Sequence, residues 1–271
     1  MKPVNSFIRV LIFIFGLGTT IQLSAQVPYD RILNSHEEPH NWLTYNGGYM
    51  SQRHSLLDQI TKENVENLEL KWVLQNQVFG AWQSNPIIVD GIMYVTERPN
   101  SVMAVDAVTG RVFWKYRHQN ADNARVCCGA NNRGVAVLND KVYMGTLDAN
   151  LLALDRINGQ LLWKTEVGDV NLAYSVTMAP LAVKDKIMVG VGGGEFGIRG
   201  YVAAYDAETG EEAWKTYTIP GPGESGHDSW EGDDWEHGGA PVWITGSFDP
   251  DLNLTYWGVG NPGPDWNAGQ R

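Results

Sequence analysis

Apolar and polar residues alternate along most of this chain in short runs of the two-residue period that a half-buried strand requires. Three such segments align with one another. They are Ala104-Val105-Asp106-Ala107-Val108-Thr109-Gly110 leading to Trp114, Ala153-Leu154-Asp155-Arg156-Ile157-Asn158-Gly159 leading to Trp163, and Ala204-Tyr205-Asp206-Ala207-Glu208-Thr209-Gly210 leading to Trp214. The aspartates stand 49 and 51 residues apart, and so do the tryptophans. In each segment a strand runs up to the Asp, a tight turn follows in which Gly takes positive φ, and a second strand carries the Trp. Another hairpin lies upstream of each: Pro86–Val95 around Asp90-Gly91, Val135–Met144 around Asn139-Asp140, and Pro180–Val191 around Lys184-Asp185. Four short strands in ~50 residues match one blade of a β-propeller. The spacing therefore predicts an all-β chain of blade repeats, with the Trp of each wedged between neighbouring sheets.

A fourth unit opens at Pro241-Val242-Trp243 and continues through Leu254–Val259, then reaches Asn261 and Arg271 without its own Asp-Thr-Gly and Trp. Propellers are closed rings, so three and a half blades leave edges uncovered. The expectation is that residues 26–271 form the N-terminal part of a longer propeller.

Residues 1–25 read as an export signal. Lys2 and Arg9 precede an apolar run from Val10 to Leu17, and Leu23-Ser24-Ala25 supplies a cleavage site before Gln26. That run is shorter than a membrane span, and no later stretch approaches ~20 apolar residues. The expected product is an exported periplasmic protein with no transmembrane segment after the signal. The net charge is −11, and removing two basic residues with the signal would make it −13. With no Lys/Arg block, a nucleic-acid partner is excluded. Two cysteines, the neighbours Cys127 and Cys128, exclude a disulfide-rich scaffold. In an oxidising compartment three outcomes stay open: a bond to each other, a bond to a partner, or free thiols.

Two familiar patterns fail on context. His36-Glu37-Glu38-Pro39-His40 fits H-E-x-x-H, but Pro39 disfavours the continuous helix that would put both histidines on one zinc ion. Gly192-Gly193-Gly194-Glu195-Phe196-Gly197 fits G-x-G-x-x-G, but a blade strand follows it rather than the helix of a dinucleotide fold. Glu195 is then an acid in an otherwise uncharged glycine-rich stretch, where burial would be costly without a cation. Asn261 opens a Pro/Gly-rich turn, and hard cations take such carboxylate and amide oxygens. The acidic run Glu224–Glu236 has no EF-hand spacing and reads as a solvated loop.

The blade repeat, Ala124-Arg125-Val126-Cys127-Cys128-Gly129-Ala130-Asn131-Asn132-Arg133-Gly134, the run Gly192–Gly200, and Gly258-Val259-Gly260-Asn261-Pro262-Gly263-Pro264 occur in one order. Together they resemble the N-terminal half of the pyrroloquinoline quinone (PQQ)-dependent alcohol dehydrogenases of the methanol/ethanol dehydrogenase family. Asn41–Gly48 with Asn67-Leu68-Glu69-Leu70-Lys71-Trp72 is similar to that family's first blade. The resemblance implies an eight-bladed propeller in the full-length protein, of which about four blades are here, with PQQ and one Ca²⁺ or lanthanide ion on its axis. It further implies that Cys127 and Cys128 form a vicinal disulfide over one face of the quinone and that Trp243 stacks on the other. Glu195 and Asn261 would be metal ligands. Arg133 would sit by the quinone carbonyls, where a fixed positive charge stabilises the reduced cofactor. Thr177 and the backbone of Gly192, Gly193 and Gly194 would bond its carboxylates. Gln83 stands where some members carry Glu.

The implied reaction is oxidation of a small alcohol to an aldehyde, with electrons passed to a c-type cytochrome. The family's catalytic aspartate is expected beyond Arg271, so no general base is assigned here, and the chain alone is expected to be inactive. Two rival readings use the same repeat: a non-enzymatic scaffold of the outer-membrane assembly type, and a carbohydrate-binding propeller. The scaffold has no use for Cys127-Cys128, Glu195 and Asn261 at these positions, and the carbohydrate-binding propeller predicts glycan binding without metal-dependent quinone uptake.

Overall fold

In a computed structural model, residues 26–265 are described. The expected signal segment 1–25 lies outside the described residues. Each predicted hairpin folds where Asp-Gly, Asn-Asp or Lys-Asp punctuates the alternation, and fourteen strands result. The first blade contains β1 (Ile87–Val89), β2 (Ile92–Glu97), β3 (Ser101–Asp106) and β4 (Val112–Arg117). The second contains β5 (Ala136–Leu138), β6 (Lys141–Gly145), β7 (Asn150–Asp155) and β8 (Leu161–Glu166). The third contains β9 (Leu181–Val183), β10 (Lys186–Gly190), β11 (Tyr201–Asp206) and β12 (Glu212–Tyr217). Each is a four-stranded antiparallel sheet in sequence order, and β13 (Ser247–Asp249) with β14 (Leu254–Tyr256) begins a fourth. The all-β propeller expectation is met.

The repeat's aspartates act through their side chains. Asp106 Oδ1 accepts from the backbone N–H groups of Val108 and Thr109 at 2.9 and 3.2 Å. Asp155 does the same with Ile157 and Asn158, and Asp206 with Glu208 and Thr209. The turn ends on Gly110, Gly159 or Gly210, each with φ of 73–74°. In every blade the ladder then slips by one residue after the Ala that faces the Trp: Ala104 opposite Trp114, Ala153 opposite Trp163, Ala204 opposite Trp214.

That Trp docks on the next blade. The Trp114 indole lies against Gly159, where an added Cβ would fall 2.5 Å from the ring, and its Nε1–H donates to the Arg156 carbonyl at 3.1 Å. Trp163 lies against Gly210 in the same way and donates to Ala207 O at 3.3 Å. Only glycine leaves room for the ring and tolerates the backbone angle, which is why the repeat requires it. Trp72 lies against Gly110 and donates to Ala107 O at 3.1 Å. Asn67–Trp72 thus stands on the first blade's flank, in the place of a preceding blade's outer strand, rather than within its sheet. Asn41–Gly48 does join that blade, since Trp42 and Ile88 exchange both backbone hydrogen bonds.

Burial falls off along each blade. β5, β6 and nearly all of β7 are buried, whereas β4, β8 and β12 are mostly exposed or half-buried. The core is a continuous cluster from Ile87, Tyr94 and Val102 through Val142 and Leu152 to Ile187, Tyr205 and Phe248. A second tie crosses the first two blades. His118 Nε2 lies 2.9 Å from Asp148 Oδ1, with both side chains over nine-tenths buried. Burial pushes the Asp148 carboxyl up, but bonds from His118, Thr146 and the Ala121 N–H outweigh it and hold the group below the usual carboxylate range.

The wedge makes a direct prediction. Trp163→Ala should lower the unfolding free energy by about 2–3 kcal/mol, below the cost of a fully buried Trp because the ring is only partly covered. Trp163→Phe keeps a ring but loses the N–H bond and should cost about 1–2 kcal/mol. Urea unfolding of the two variants beside the parent checks both.

Candidate functional site

The short segments that lead into the first strand of each unit converge on one end of the molecule. Gln83 lies four residues before β1, Arg133 three before β5, Thr177 four before β9 and Trp243 four before β13. They lie in the corresponding lead-in segment of four successive units, within a residue of the same offset. Backbone bonds link them around the axis: Asn85 N–H donates to Arg133 O at 3.0 Å, and Arg133 N–H to Thr177 O at 3.1 Å. The Trp243 carbonyl in turn receives Arg133 Nη1 and the Thr177 hydroxyl, each at 3.5 Å.

These segments enclose a cavity of about 410 Å³, within the range of small-molecule sites. It is lined by Gln83, Cys127, Cys128, Arg133, Thr177, Gly192, Gly193, Glu195, Trp243 and Asn261 among others. Ten of the eleven residues singled out from the sequence therefore meet in one place. The eleventh, Gly194, is buried away from the lining, and its Cα packs so closely on the Pro241 ring that a Cβ would fall 2.6 Å from it. Asn131, Ser175, Gly129 and Pro241 also line the cavity; Gly129, Asn131 and Pro241 lie within quoted motifs without being singled out, and Ser175 lies in none.

Cys127 and Cys128 are bonded to each other, which settles the three outcomes left open by the sequence. Asn131 supports the turn that presents them, its Nδ2 donating to the Cys128 carbonyl at 2.8 Å. The Asn131 Oδ1 is buried without a partner among the described residues. Arg133 lies with its guanidinium carbon 4.9 Å from the centre of the Trp243 ring. Burial lowers its hold on its proton, with a smaller opposing pull from Tyr45.

Glu195 sits on a single 3₁₀ turn, Gly194–Phe196, between two glycines with positive φ. Its carboxylate reaches within 4.8 Å of both cysteine sulfurs. The sequence argument that its burial would need a cation does not hold, because the side chain is exposed. What singles it out is position, as the one carboxylate lining the cavity among the described residues. Asn261 Nδ2 donates to Asp265 Oδ1, which leaves its amide oxygen as the atom available to a ligand. Glu195 and Asn261 thus offer a carboxylate and an amide oxygen, donors that suit a hard cation.

A clasp holds the loops at the mouth. Arg125, two residues before the cysteines, stacks its guanidinium 5.3 Å from the centre of the Phe196 ring, the residue after Glu195. Asn123 Nδ2 donates to Asn171 Oδ1 at 2.8 Å, and Gly193 abuts the carbonyl of Ala173. Arg125→Ala and Phe196→Leu should each speed amide exchange in residues 123–130 about two- to fivefold, with the double variant no faster than either. Hydrogen exchange with mass-spectrometric readout checks this.

Residues 42–271 match the family model for the glucose/ethanol/alcohol dehydrogenase β-propeller domain of PQQ enzymes. The quinohemoprotein alcohol dehydrogenase ADH-IIG of Pseudomonas putida is 41% identical over 94% of this chain and 38% of its own length. The lanthanide-dependent methanol dehydrogenase of Methylacidiphilum fumariolicum is 37% identical over 96% of this chain and 46% of its own. A solved europium-containing methanol dehydrogenase superposes with a TM-score of 0.84 at 38% identity, covering 89% of this chain and 46% of that one. The chain spans about two-fifths of the length of these relatives. The blades, the bonded cysteines and the cavity agree with these matches, and this chain belongs to the family of PQQ-dependent alcohol dehydrogenase β-propellers.

Proposed function

We propose that this chain builds much of the cofactor cage of a periplasmic quinoprotein that oxidises a small alcohol to an aldehyde and passes electrons to a c-type cytochrome. The observation that carries the reading is the meeting of the disulfide, Trp243, Arg133, Glu195 and Asn261 around one cavity. The fit to a metal-bound quinone rests on chemistry. Glu195 and Asn261 offer oxygens to Ca²⁺ or a lanthanide ion, Arg133 offers a positive charge, and the orphaned Asn131 Oδ1 is an acceptor awaiting a donor.

When bound, PQQ would take up the hydride, with its two electrons, from the alcohol carbon while its cation polarises a quinone oxygen. The chain's own residues do the holding. The flat Trp243 indole and the disulfide offer apolar surfaces to a flat ring. Arg133 is fixed by Thr177 O and Trp243 O, so its charge costs little reorganisation when negative charge develops beside it. The Thr177 and Ser175 hydroxyls and the backbone at Gly193 line the cavity where a carboxylate would sit, whereas the Gly192 N–H and C=O are already paired with Ser175. The acceptor of the alcohol's hydroxyl proton is not among these residues, since Glu195 is reserved for the cation. Among the described residues no helix is long and apolar enough to cross a membrane.

Titrating the protein with PQQ, with and without Ca²⁺ or La³⁺, tests the reading through the quinone's absorbance. Uptake should require the cation, and Glu195→Gln should weaken it about tenfold or more. Uptake that ignores the cation, or that Glu195→Gln leaves unchanged, would overturn the assignment.

A further inference from the structure

Cys127 Sγ, Cys128 Sγ and a Glu195 carboxylate oxygen all lie within 4.8 Å of one another, the one such group of potential ligands among the described residues. Cys128 and Glu195 are exposed, and all three line the cavity, so a reductant and an ion can both reach them. A tetrahedral zinc-class ion with Zn–S near 2.3 Å and Zn–O near 2.1 Å sets its ligands roughly 3.5–3.8 Å apart. Side-chain rotations of about 1 Å would bring this carboxylate into that range, and the sulfurs can separate once their bond is broken.

From this geometry we infer that reduction of the Cys127–Cys128 bond creates a three-ligand site for a thiophilic divalent cation of the zinc class, made of both thiolates and Glu195. The inference goes beyond the quinone reading and does not depend on it. A dithiol reductant supplies two electrons and two protons. The S–S bond breaks, two S–H groups form, and the reductant closes to its own disulfide. The incoming ion displaces both thiol protons to solvent. Two thiolates and a carboxylate leave the fourth position of the ion to water from the cavity.

Two features hold the ligands for this use. The Asn131 amide fixes the Cys128 carbonyl, so the turn keeps both cysteines at the cavity after reduction. The Arg125–Phe196 stack ties the cysteine loop to the Glu195 turn. The state of the disulfide then decides which ion Glu195 serves. Oxidised, it stands among oxygen donors that suit a hard cation. Reduced, it stands beside two soft thiolates that favour the zinc class.

The test uses PQQ-free protein, oxidised or reduced with dithiothreitol and desalted without oxygen, and titrated with Co²⁺ as a coloured stand-in for Zn²⁺. Only the reduced protein should develop a thiolate-to-cobalt charge-transfer band, saturating at one ion per chain and erased by Zn²⁺. Glu195→Gln should bind about tenfold more weakly or worse, and Cys128→Ser should lose the band. Circular dichroism of each sample reports whether the strands persist. A reduced, folded protein without the band, a Glu195→Gln variant with unchanged affinity, or a chain that unfolds on reduction would each overturn the inference.

Discussion

The docking of one blade's Trp on the next blade's Asp-to-Gly turn is the contact on which the remaining structure depends. It uses a ring too large for any residue but glycine beneath it, and an indole N–H that finds a carbonyl in the same turn. Repeated at Trp72, Trp114 and Trp163, it fixes the rotation from each sheet to the next. A fixed rotation brings the segments before β1, β5, β9 and β13 to one axis. The cavity follows from the repetition.

That origin explains the site's mixed character. Each blade contributes one side chain from its lead-in segment, and the repeat constrains the backbone there but not the side chain. Gln83, Arg133, Thr177 and Trp243 can therefore differ in chemistry while lying in corresponding segments. Two longer connections supply what the repeat does not: the bonded cysteines on the way from β4 to β5, between blades, and Glu195 between β10 and β11, within one blade. Arg125 on Phe196 joins these two connections across the mouth. Charge is sparse at the centre, with one arginine and one carboxylate lining the cavity, although the whole chain carries −11. A lone pair of opposite charges in a half-enclosed space can act on a ligand without being quenched by neighbours.

The blades were legible because the signals are local. An Asp that caps its own turn, a Gly with positive φ and a Trp a few residues on are all set within a dozen residues. The candidate site residues were named by resemblance, and ten of the eleven line one cavity. Other features depend on how blades rotate relative to one another. Ser175 has no motif, Asn131 sits in the cysteine motif with no role read for it, and the presence of both at the cavity follows from the sheet-to-sheet angle. Gly194 reads as part of a glycine-rich binding loop, yet its lack of a side chain serves the Pro241 ring. The exposure of Glu195 was hidden for a related reason: the flanking glycines suggest burial, whereas the turn they permit carries the carboxylate outward. Asn67–Trp72 resembles first-blade sequence because it belongs to the same repeat, and only the packing of Trp72 on Gly110 shows which flank it covers.

The central claim is that four segments leading into the blades, the loops of Cys127–Cys128 and Glu195, and the turn of Asn261 after β14 make one site for a metal-bound quinone. A crystal structure of the protein loaded with PQQ and La³⁺, with the ion located by its anomalous scattering, tests it most directly. The account predicts the ion on Glu195 and Asn261, with the quinone between the Cys127–Cys128 bond and the Trp243 ring. An ion bound elsewhere, or a quinone that touches neither the disulfide nor Trp243, would contradict it.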